Sequence, residues 1–571
     1  MATEDIPPPL HDIPTAKEKK YDRQLRLWGA SGQIALEETH VLLINNGPGV
    51  TGVETLKNLV LPGIGQFTIL DPTLVSEADL GVNFFLDDAS LGKFRAAETV
   101  KLLMELNPTV QGHAISEPLE TFIAQEKPFA RYNLILAAAP IEPAILATIQ
   151  RRAQELQIPT FTIHSTGFFS AFSALLPPAF PIVDTHPDST ATTDLRLLLP
   201  WPELVQFANE MTAGLEEGKM TAQEKAHIPW VCLILRYLEK WKETHAGKVP
   251  ETYKEKTEFR SLVRSGDPHE ENFDEACAAV LKSLNPPTPS SSVREILSAP
   301  ETSSLDATSP AFWFIAHAIH LFYTQHKQLP LPGAVPDMKA QSADYIKLQN
   351  IYKTKARQDC AEVLESVRKL EKSTGRSPKM AVDEKDVENF CKGAAHIHLV
   401  RGRPLQIAGL EEGQPAKFGD RATTMAMELT TPDSLIGLHI AFLAWDEYIA
   451  THRSSAKSAG GELPKVPGSG PGDFEADTEK MTGIAHKIVD SLIKEAGTFI
   501  EDPEYSEVKE NVGKFCMELV RAGGGELHNI ASLTGGLVAQ EVIKVITRQY
   551  IPVDNTCLFD GVASRSQVLR V

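Results

Sequence analysis

A glycine-rich turn is the first feature of this sequence that can support chemistry. Gly47, Gly49 and Gly52 form a G-x-G-x-x-G pattern directly after an apolar run and at the start of a segment with helical spacing. Glycines permit a tight turn and let the backbone approach a phosphate, and the helix N-terminus offers free N–H groups. Asp71 closes the next apolar run, where a carboxylate can bind ribose hydroxyls. The pattern indicates a nucleotide-binding turn.

The glycine pattern alone leaves three interpretations open. It fits dehydrogenases that bind NAD and enzymes that bind ATP in the same crevice. It also fits proteins that keep only the fold, in which the glycines serve close packing between a strand and a helix. The choice among them depends on the elements around the turn and on the flanking residues.

Short β-rich runs alternate with helical stretches on both sides of the turn. Four apolar runs predict buried strands and two segments predict helices: residues 41–44, 67–70, 134–139 and 160–163 for the strands, and 53–61 and 96–106 for the helices. Strands separated by helices are typical of βαβ units in a parallel sheet. We therefore predict an α/β, Rossmann-like, doubly wound domain that positions the turn at one edge of its sheet.

The later sequence predicts that this domain is interrupted. Helical patterns dominate residues 171–510, and strand-like runs return in residues 511–571. We predict a first part at residues 21–170, a large and mainly helical insertion at 171–510, and a C-terminal part at 511–571. Three consecutive domains are the alternative, but the last segment is too short to bury a core of its own.

Finer features are predicted within this plan. Residues 1–20 are polar and proline-rich and predict a disordered tail. Polar stretches near 285–310 and 454–477 predict exposed loops. In the last part, residues 530–546 predict a helix rich in small residues, and YIPVDN and TCLFDG predict two strands.

The bulk composition limits the possible partners. Lys and Arg number 56 and Asp and Glu 75, so the formal charge of the 571 residues is −19. Such a field disfavours nucleic acid and anionic membrane surfaces. It favours a basic protein partner or serves solubility alone. The six cysteines form no CxxC pair, and no secretory signal or bilayer-spanning apolar stretch is evident, so we expect a cytoplasmic or nuclear protein without a cysteine-rich zinc site.

The flanking residues carry a resemblance to a known family. YDRQLRLWG at residues 21–29, KNLVLPGIGQFTILD at 57–71, GVNFF at 81–85 and the segment 528–555 together resemble the ubiquitin-like-protein activating enzymes, whose adenylation domain is ThiF-like. The resemblance is strongest to the regulatory subunits of the Nedd/Rub-type enzymes and extends to residues 329–352 in the helical region. Sumo-type regulatory subunits are the nearest rival, but they are expected to be much shorter.

The resemblance implies a chain that has lost its own chemistry. Active halves of this family adenylate the C-terminal glycine of the modifier with ATP and carry a D-x-D pattern followed by an N-x-x-R-Q-like element. Here Asp71 keeps the first acid, Thr73 stands at the second, and Val82 and Asn83 replace the Arg-Gln pair.

The remaining catalytic groups of the family are also replaced. The magnesium-binding Asp of active halves corresponds to the alanine run 137–139, which supplies no carboxylate oxygen. Lys93 matches the first basic residue of the G-K-x-K element, and Arg95 replaces the second. No cysteine has a P-x-C-T-like setting, and Cys232, within VCLIL, is expected to be a core residue.

The resemblance therefore implies a vestigial nucleotide site at Gly47, Gly49, Gly52, Asp71 and Lys93, with no metal site. A catalytic partner subunit would hold ATP and magnesium, bind the ubiquitin-like modifier and carry the reactive cysteine. The helical region would be a degenerate catalytic-cysteine-type domain. Modification of cullin-type ubiquitin ligase scaffolds is the implied consequence.

One residue of this chain is implied to act at the partner's site. Arg23 matches a family arginine that reaches from one half to the nucleotide bound by the other, where a guanidinium can stabilise charge on the departing pyrophosphate. A surface or helix-packing arginine is the alternative. Two other functions stay open for the chain as a whole: a stand-alone adenylyltransferase of the sulfur-carrier type and an NAD-dependent oxidoreductase.

Several other residues are predicted to be structural. His396 and His398 have no evident third metal ligand, and His164–Ser165 has no acid partner or G-x-S-x-G elbow. Trp313 and the other aromatics of its segment recur at helical spacing and are most simply core.

Overall fold

The computed structural model describes residues 14–187, 194–215, 218–285, 288–408, 415–458, 461–501 and 503–571; at 453–458 and 461–464 it describes the backbone only. Within these residues the chain divides into two compact units. The helical unit comprises residues 181–399, and the sheet unit comprises residues 14–180 and 400–571. The sheet unit is therefore made from both ends of the chain.

Twelve strands occur in the described residues. They are β1 His40–Asn45, β2 Gln66–Leu70, β3 Gln111–Ile115, β4 Leu134–Ala138, β5 Thr160–Thr166, β6 Phe169–Leu175, β7 Phe180–Val183, β8 Ile397–Val400, β9 Arg453–Ser458, β10 Gly461–Pro464, β11 Thr556–Asp560 and β12 Arg565–Leu569. Eight of them form one sheet in the order β12-β11-β6-β5-β4-β1-β2-β3, while β9 pairs with β10 and β7 with β8.

The helices of the sheet unit come from both parts of the chain. They are α1 Ala16–Lys20, α2 Asp22–Glu37, α3 Val50–Val60, α4 Glu77–Leu80, α5 Arg95–Leu106, α6 Leu119–Ile123 and α7 Pro143–Glu155 before the helical unit, and α18 Ala422–Leu429, α19 Ile436–Thr451, α20 Phe474–Ala496, α21 Glu504–Ala522 and α22 His528–Thr547 after it. Those of the helical unit are α8 Pro202–Met211, α9 Ala222–Ala226, α10 Trp230–Thr244, α11 Tyr253–Arg264, α12 Glu271–Ser283, α13 Ser291–Leu297, α14 Pro300–Ser303, α15 Ala311–His326, α16 Ser342–Thr374 and α17 Glu384–Lys392.

Five parallel strands in the order β3-β2-β1-β4-β5 give the sheet its doubly wound half. Successive side chains of β1 point to opposite faces, so Leu42 and Ile44 pack with α6 and α7, while Leu43 lies against Gly52 of α3. The four predicted strands and two predicted helices of this half are confirmed, and no end is shifted by more than three residues. The predicted α/β Rossmann-like class is thus the observed one.

The other half of the sheet is antiparallel. β6 runs antiparallel to β5, and β11 and β12 extend the sheet from β6. Phe169, Leu558 and Leu569 of these strands join one hydrophobic core with α18, α19, α20 and α21. The prediction places α18, α19, α20 and only the start of α21 in the insertion 171–510. In the structure the independent helical unit ends at residue 399, because the later helices cover the face of this added sheet.

The helical unit has its own core around α10. Val231, Leu233 and Ile234 are fully buried, and Tyr352 of α16 donates a hydrogen bond to the carbonyl of Leu195 at 2.7 Å. The stretch 285–310, predicted as a loop, contains α13 and α14, and residues 286–287 lie outside the described part. The stretch 454–477, also predicted as a loop, contains the β9–β10 pair and the start of α20.

Three further local predictions differ from the structure. The predicted tail 1–20 is described only from residue 14, and there Thr15 caps the short helix α1. YIPVDN is not a strand, whereas TCLFD is β11, as predicted. Its partner β12 was not predicted, because its RSQVL sequence shows no clear alternation of apolar and polar residues. The predicted small-residue helix is α22.

Among the described helices, α22 alone is long and apolar enough to cross a membrane by length and composition. Half of its apolar window is buried, and a Cβ at Gly535 would press against Glu54 of α3. The apolar character of α22 is accounted for by this packing against α3.

Candidate functional site

The glycine-rich turn lies between β1 and α3, at the point where the sheet order reverses between β1 and β4. In open α/β sheets, ligands bind in the crevice outside the strand ends at this point. Gly49 has φ +70° and precedes α3, and a Cβ there would overlap the side chain of Asn45. Only glycine fits this position without strain.

The crevice is closed by the loop that follows β4. The side-chain amide of Asn46 donates a hydrogen bond to the carbonyl of Pro140 at 3.0 Å. A Cβ at Gly47 would overlap the Pro140 ring, and one at Gly52 would lie 2.7 Å from Leu43 Cδ1. The first and third glycines of the motif thus serve close packing between the loops and between helix and strand.

The N-terminus of α3 already binds a carboxyl group supplied by the chain. The carboxylate of Glu526 accepts hydrogen bonds from the main-chain N–H of Val50 at 2.5 Å and from the hydroxyl of Thr51 at 2.8 Å. The N–H of Thr51 lies 3.4 Å from the same carboxylate. These are the groups that a phosphate uses when it binds at a helix N-terminus. Glu526, just before α22, therefore takes the phosphate position.

Asp71 is likewise bound by other residues of the same chain. Its carboxylate accepts hydrogen bonds from Asn45 Nδ2 and from Arg95 Nε, both at 2.7 Å, and from the N–H of Thr73 at 2.9 Å. Asp71 is 1% exposed and Arg95 is 5% exposed. A ribose hydroxyl would have to displace a buried, charge-assisted hydrogen bond to reach this carboxylate.

Arg95 links the turn to the loop that follows β2. Its Nη1 donates to Asp79 Oδ1 at 2.8 Å, and its Nη2 donates to the carbonyl of Gly47. Burial lowers the pKa of Arg95, but the ion pairs with Asp71 and Asp79 outweigh it, so the pKa is raised. The guanidinium is therefore a fixed charge that fills the space beside the first glycine.

The electrostatics of the two acids differ. Burial opposes ionisation of Asp79, yet hydrogen bonds from Ser76 and the ion pair with Arg95 hold its pKa below the usual value. Burial raises the pKa of Glu526, although hydrogen bonds from Thr51 and Val50 act in the opposite direction. Asp79 is thus ionised, and the charge on Glu526 depends on the donors of the α3 N-terminus.

The end of β4 offers no metal ligand. Ala137 and Ala138 are buried at 2% and 3% exposure and carry no side-chain oxygen. Across the described residues there is no group of three His, Cys, Asp or Glu side chains that could hold a metal ion. The residues at this edge of the sheet do not fit a magnesium–nucleotide complex, because the carboxylate that would bind the metal is absent and the phosphate position is taken.

The structure does not bring all the predicted site residues together. Gly47, Gly49, Gly52 and Asp71 surround the closed crevice. Lys93 is half-exposed and pairs with Glu98 at 3.6 Å. Lys93 therefore forms a surface ion pair rather than a contact with the glycine turn.

Arg23 lies in the first turn of α2 and is exposed. It forms no hydrogen bond or ion pair with any residue of the described part of the chain. Its neighbour Arg26, by contrast, pairs with Asp22 at 3.1 Å. The guanidinium of Arg23 is free to contact a partner.

Most of the residues predicted to be structural are buried among other side chains. Cys232 is fully buried, and burial raises the pKa of its thiol. The ring of His164 packs on Phe442 and Trp445, and burial lowers the pKa of His164 to about 3. Burial also lowers the pKa of His396. The aromatics of α15 are core residues, as predicted: Trp313, Phe314 and Phe322.

Two residues that define the closed site were missed from the sequence. Glu526 is 476 positions from Val50 in the chain, so no local pattern connects them. Asp79 lies in a short polar helix and was not distinguished from solvent-exposed acids. Arg95 was identified only as a replacement in a basic element, whereas the structure shows a buried ion pair. An acid two residues before the small-residue helix α22 was the signal available for Glu526.

The comparison with protein families agrees with this architecture. The family model described as "ThiF family" matches residues 21–571. A solved structure of the E. coli tRNA N6-threonylcarbamoyladenosine dehydratase TcdA with AMP is 17% identical, covers 28% of this chain and 66% of its own, and has a TM-score of 0.24, which is too low to support a conclusion.

Full-length relatives give a finer assignment. The chain is 36% identical to the NEDD8-activating enzyme E1 regulatory subunit of Xenopus laevis, over 97% of this chain and 99% of that protein. It is 35% identical to that of Danio rerio, over 98% and 100%, and 31% identical to the regulatory subunit AXR1 of Arabidopsis thaliana, over 98% and 98%. The chain therefore belongs to the ThiF family and, within it, to the family of NEDD8-activating enzyme E1 regulatory subunits.

Proposed function

We propose that this chain is the non-catalytic half of a heterodimer that activates a Nedd/Rub-type ubiquitin-like modifier. One observation carries the proposal: the crevice that would bind nucleotide is filled by the chain's own side chains, with Glu526 on the α3 N-terminus and Arg95 on Asp71. A chain that keeps the fold but fills the site is suited to a structural and regulatory role beside an active homologue.

ATP and magnesium would then be bound by the partner subunit. A triphosphate at the α3 N-terminus would have to displace the Glu526 side chain, which already accepts the hydrogen bonds of Val50 and Thr51. Ala137 and Ala138 provide nothing to hold a metal. These residues also argue against the two alternatives, since a stand-alone adenylyltransferase needs the metal site and an oxidoreductase needs the dinucleotide crevice.

The surface of the sheet unit supports a protein partner. Phe84 is 71% exposed and stacks on His528, at the start of α22, with ring centroids 3.8 Å apart. Leu27 and Ile34 of α2, which packs beside α22, are about half exposed, and Leu533 of α22 is 43% exposed. Apolar side chains gathered on neighbouring elements mark protein interaction sites. We infer that the catalytic subunit covers this surface.

Arg23 would contribute to the chemistry in trans. It lies on α2, the helix that carries the exposed Leu27 and Ile34, and it has no partner among the described residues. A guanidinium brought to the partner's nucleotide would stabilise charge on the departing pyrophosphate without any base on this chain.

The helical unit would keep the shape of a catalytic-cysteine domain without its thiol chemistry. Cys232 has a raised pKa, which disfavours the thiolate that forms a thioester. We therefore assign the thioester to the partner subunit and the modifier-binding surface to the heterodimer. Cullin-type ubiquitin ligase scaffolds would be the proteins modified downstream. A location in the cytoplasm, the nucleus or both fits this role.

The test is reconstitution with purified proteins. The chain alone, the candidate catalytic subunit alone and the two together are incubated with ATP and the modifier, and ATP–pyrophosphate exchange and thioester formation are measured. We expect activity only when both subunits are present, with the thioester on the partner. Formation of a modifier adenylate by this chain alone would falsify the proposal.

A further inference from the structure

Two cysteines of the helical unit lie side by side on neighbouring helices. The side chains of Cys391, on α17, and Cys360, on α16, interact with each other. All six cysteines of the chain lie in the described residues, and all are free thiols. Five of them are buried, whereas Cys360 is partly exposed. The pair therefore combines one accessible thiol with one shielded thiol.

The two helices are fixed to each other near this pair. Arg368 of α16 donates through Nη1 to the carbonyl of Val382 at 3.0 Å and lies 3.4 Å from Glu384 at the start of α17. Glu371 of α16 accepts a hydrogen bond from the N–H of Val382 at 2.6 Å. These contacts set the register of α17 on α16, so the contact between the two thiols is built into the unit.

The opposite end of α17 is held by apolar packing. Val387 and Phe390 are buried with Cys391, and the ring of Phe390 lies 4.9 Å from that of Phe312 on α15. Cys391 is thus on the packed face of α17 and cannot leave α16 without exposing these side chains.

The surroundings make the two thiols unequal. The hydrogen bond from Cys391 lowers the pKa of Cys360, and Lys392 acts in the same direction, against burial and the charges of Glu388 and Asp359. The same hydrogen bond and burial raise the pKa of Cys391 well above its usual value. The attacking thiolate in thiol–disulfide exchange must be accessible to the reagent, so the partly exposed Cys360 is the attacking residue and the buried Cys391 is the resolving residue.

We propose that Cys360 and Cys391 form a redox-active dithiol, which a small-molecule disulfide converts into an intramolecular disulfide. The Cys360 thiolate attacks one sulfur of the reagent, forms a mixed disulfide and releases the first small thiolate. Cys391 passes its proton to that thiolate, attacks the Cys360 sulfur and releases the second small thiolate. Two cysteine thiols are oxidised, and the small disulfide is reduced to two thiol groups. The product joins α16 to α17 covalently.

The experiment uses the full chain, reduced and freed of reductant, and oxidised glutathione as the probe. After exposure, remaining thiols are alkylated and peptides are identified by mass spectrometry without reduction. The wild-type chain gives the Cys360–Cys391 disulfide peptide as the main product. Cys391→Ser stops at the first step and accumulates glutathione on Cys360. Cys360→Ser leaves Cys391 unmodified, and the buried-site control Cys277→Ser behaves as the wild-type chain does.

A second measurement follows the rate of alkylation at neutral pH in the untreated protein. Cys360 reacts at least about tenfold faster than any other cysteine, and the advantage falls in Cys391→Ala, whose side chain cannot donate a hydrogen bond to Cys360. Folding of each variant is checked by its melting curve. The proposal is overturned if the wild-type chain yields no Cys360–Cys391 peptide, or if Cys360 is alkylated no faster than the buried cysteines.

Discussion

The carboxylate of Glu526 accepts a hydrogen bond from the main-chain N–H of Val50 at 2.5 Å, so the first turn of α3 is capped by a residue from the far end of the chain. The interaction also holds the two segments of the sheet unit together, because Glu526 lies two residues before α22 and α22 packs on α3. The backbone groups that could bind a phosphate instead connect the two segments of the sheet unit.

Removal of this carboxylate should restore an anion site. In Glu526→Ala the N–H groups of Val50 and Thr51 lose their acceptor, and a helix N-terminus with free N–H groups attracts divalent oxyanions. We expect the variant to melt at a lower temperature than the wild-type chain in chloride. In sulfate of equal ionic strength, it should gain several degrees more than the wild-type chain gains.

The comparison with the wild-type chain is needed because sulfate stabilises most proteins by exclusion from their surface. Glu510→Ala is the matched control, since Glu510 is an exposed acid that pairs with Lys514. Equal sulfate effects in all three proteins would show that no anion enters at α3.

A pH dependence follows from the raised pKa of Glu526. An acid whose pKa is higher in the folded than in the unfolded state binds its proton more tightly when folded. Its contribution to stability is complete below the unfolded pKa and is lost as the pH rises through the folded pKa. The wild-type chain should therefore lose stability relative to Glu526→Gln as the pH is raised from about 4, near the ordinary pKa of Glu, towards neutrality.

Urea midpoints of the two proteins, measured side by side across this range, check the prediction. The difference between them isolates Glu526 from the other titrating groups. A difference that is constant, or that moves in favour of the wild-type chain as the pH rises, would contradict the assignment.

Substitution of Arg95 should destabilise the protein more than substitution of most other charged residues of the sheet unit. Arg95→Met leaves the buried carboxylates of Asp71 and Asp79 without their ion-pair partner, and breaking a buried pair in this way costs about 3–5 kcal/mol. Lys93→Met, two residues away, removes only the half-exposed pair with Glu98 and should cost at most about 1 kcal/mol. Urea unfolding followed by circular dichroism distinguishes the two, and similar midpoints for both variants would be incompatible with the buried network.

The contrast between Lys93 and Arg95 illustrates what the sequence could and could not predict. Hydrophobic periodicity located β1, β2, β4, β5, α3 and α5, because each element buries a face that repeats along the chain. The same periodicity did not predict which core α19, α20 and α21 join, since a helix pattern carries no information about its distant partner. The pairing of Arg95 with Asp79 and of Glu526 with Val50 depended on such distant contacts.

The resemblance indicated a regulatory subunit of an activating enzyme, and the full-length relatives confirm that assignment. It did not indicate how the empty crevice is filled. That required a glutamate from the opposite end of the chain and an arginine whose neighbours in space come from two different loops.

The glycines of the turn should matter for stability rather than for nucleotide binding. In Gly47→Ala the added methyl group overlaps the ring of Pro140, and overpacking of this kind costs about 1–3 kcal/mol. Gly483→Ala is the control, because Gly483 lies in α20 with open space around its missing Cβ and should stabilise the chain by about 0.5–1 kcal/mol. Melting temperatures test both, and an unchanged value for Gly47→Ala would mean that the loops after β1 and β4 are not in contact.

Arg23 should affect the heterodimer but not the isolated chain. Its side chain is exposed and has no partner in the described part of the protein, so Arg23→Ala should leave the melting temperature within error. If the guanidinium reaches the partner's nucleotide, its loss removes a charge that stabilises the transition state, and such losses commonly reach about a hundredfold. We expect ATP–pyrophosphate exchange by the reconstituted heterodimer to fall by at least about tenfold.

Arg26→Ala is the matched control for this prediction, because Arg26 lies one turn further along α2 and is also exposed, but it is paired with Asp22. Exchange should then stay near the wild-type rate. Gel filtration of each reconstituted complex separates a loss of chemistry from a loss of assembly. An Arg23→Ala heterodimer that assembles fully and exchanges at the wild-type rate would leave Arg23 as an ordinary surface residue. A variant that fails to assemble would instead assign Arg23 to the subunit interface.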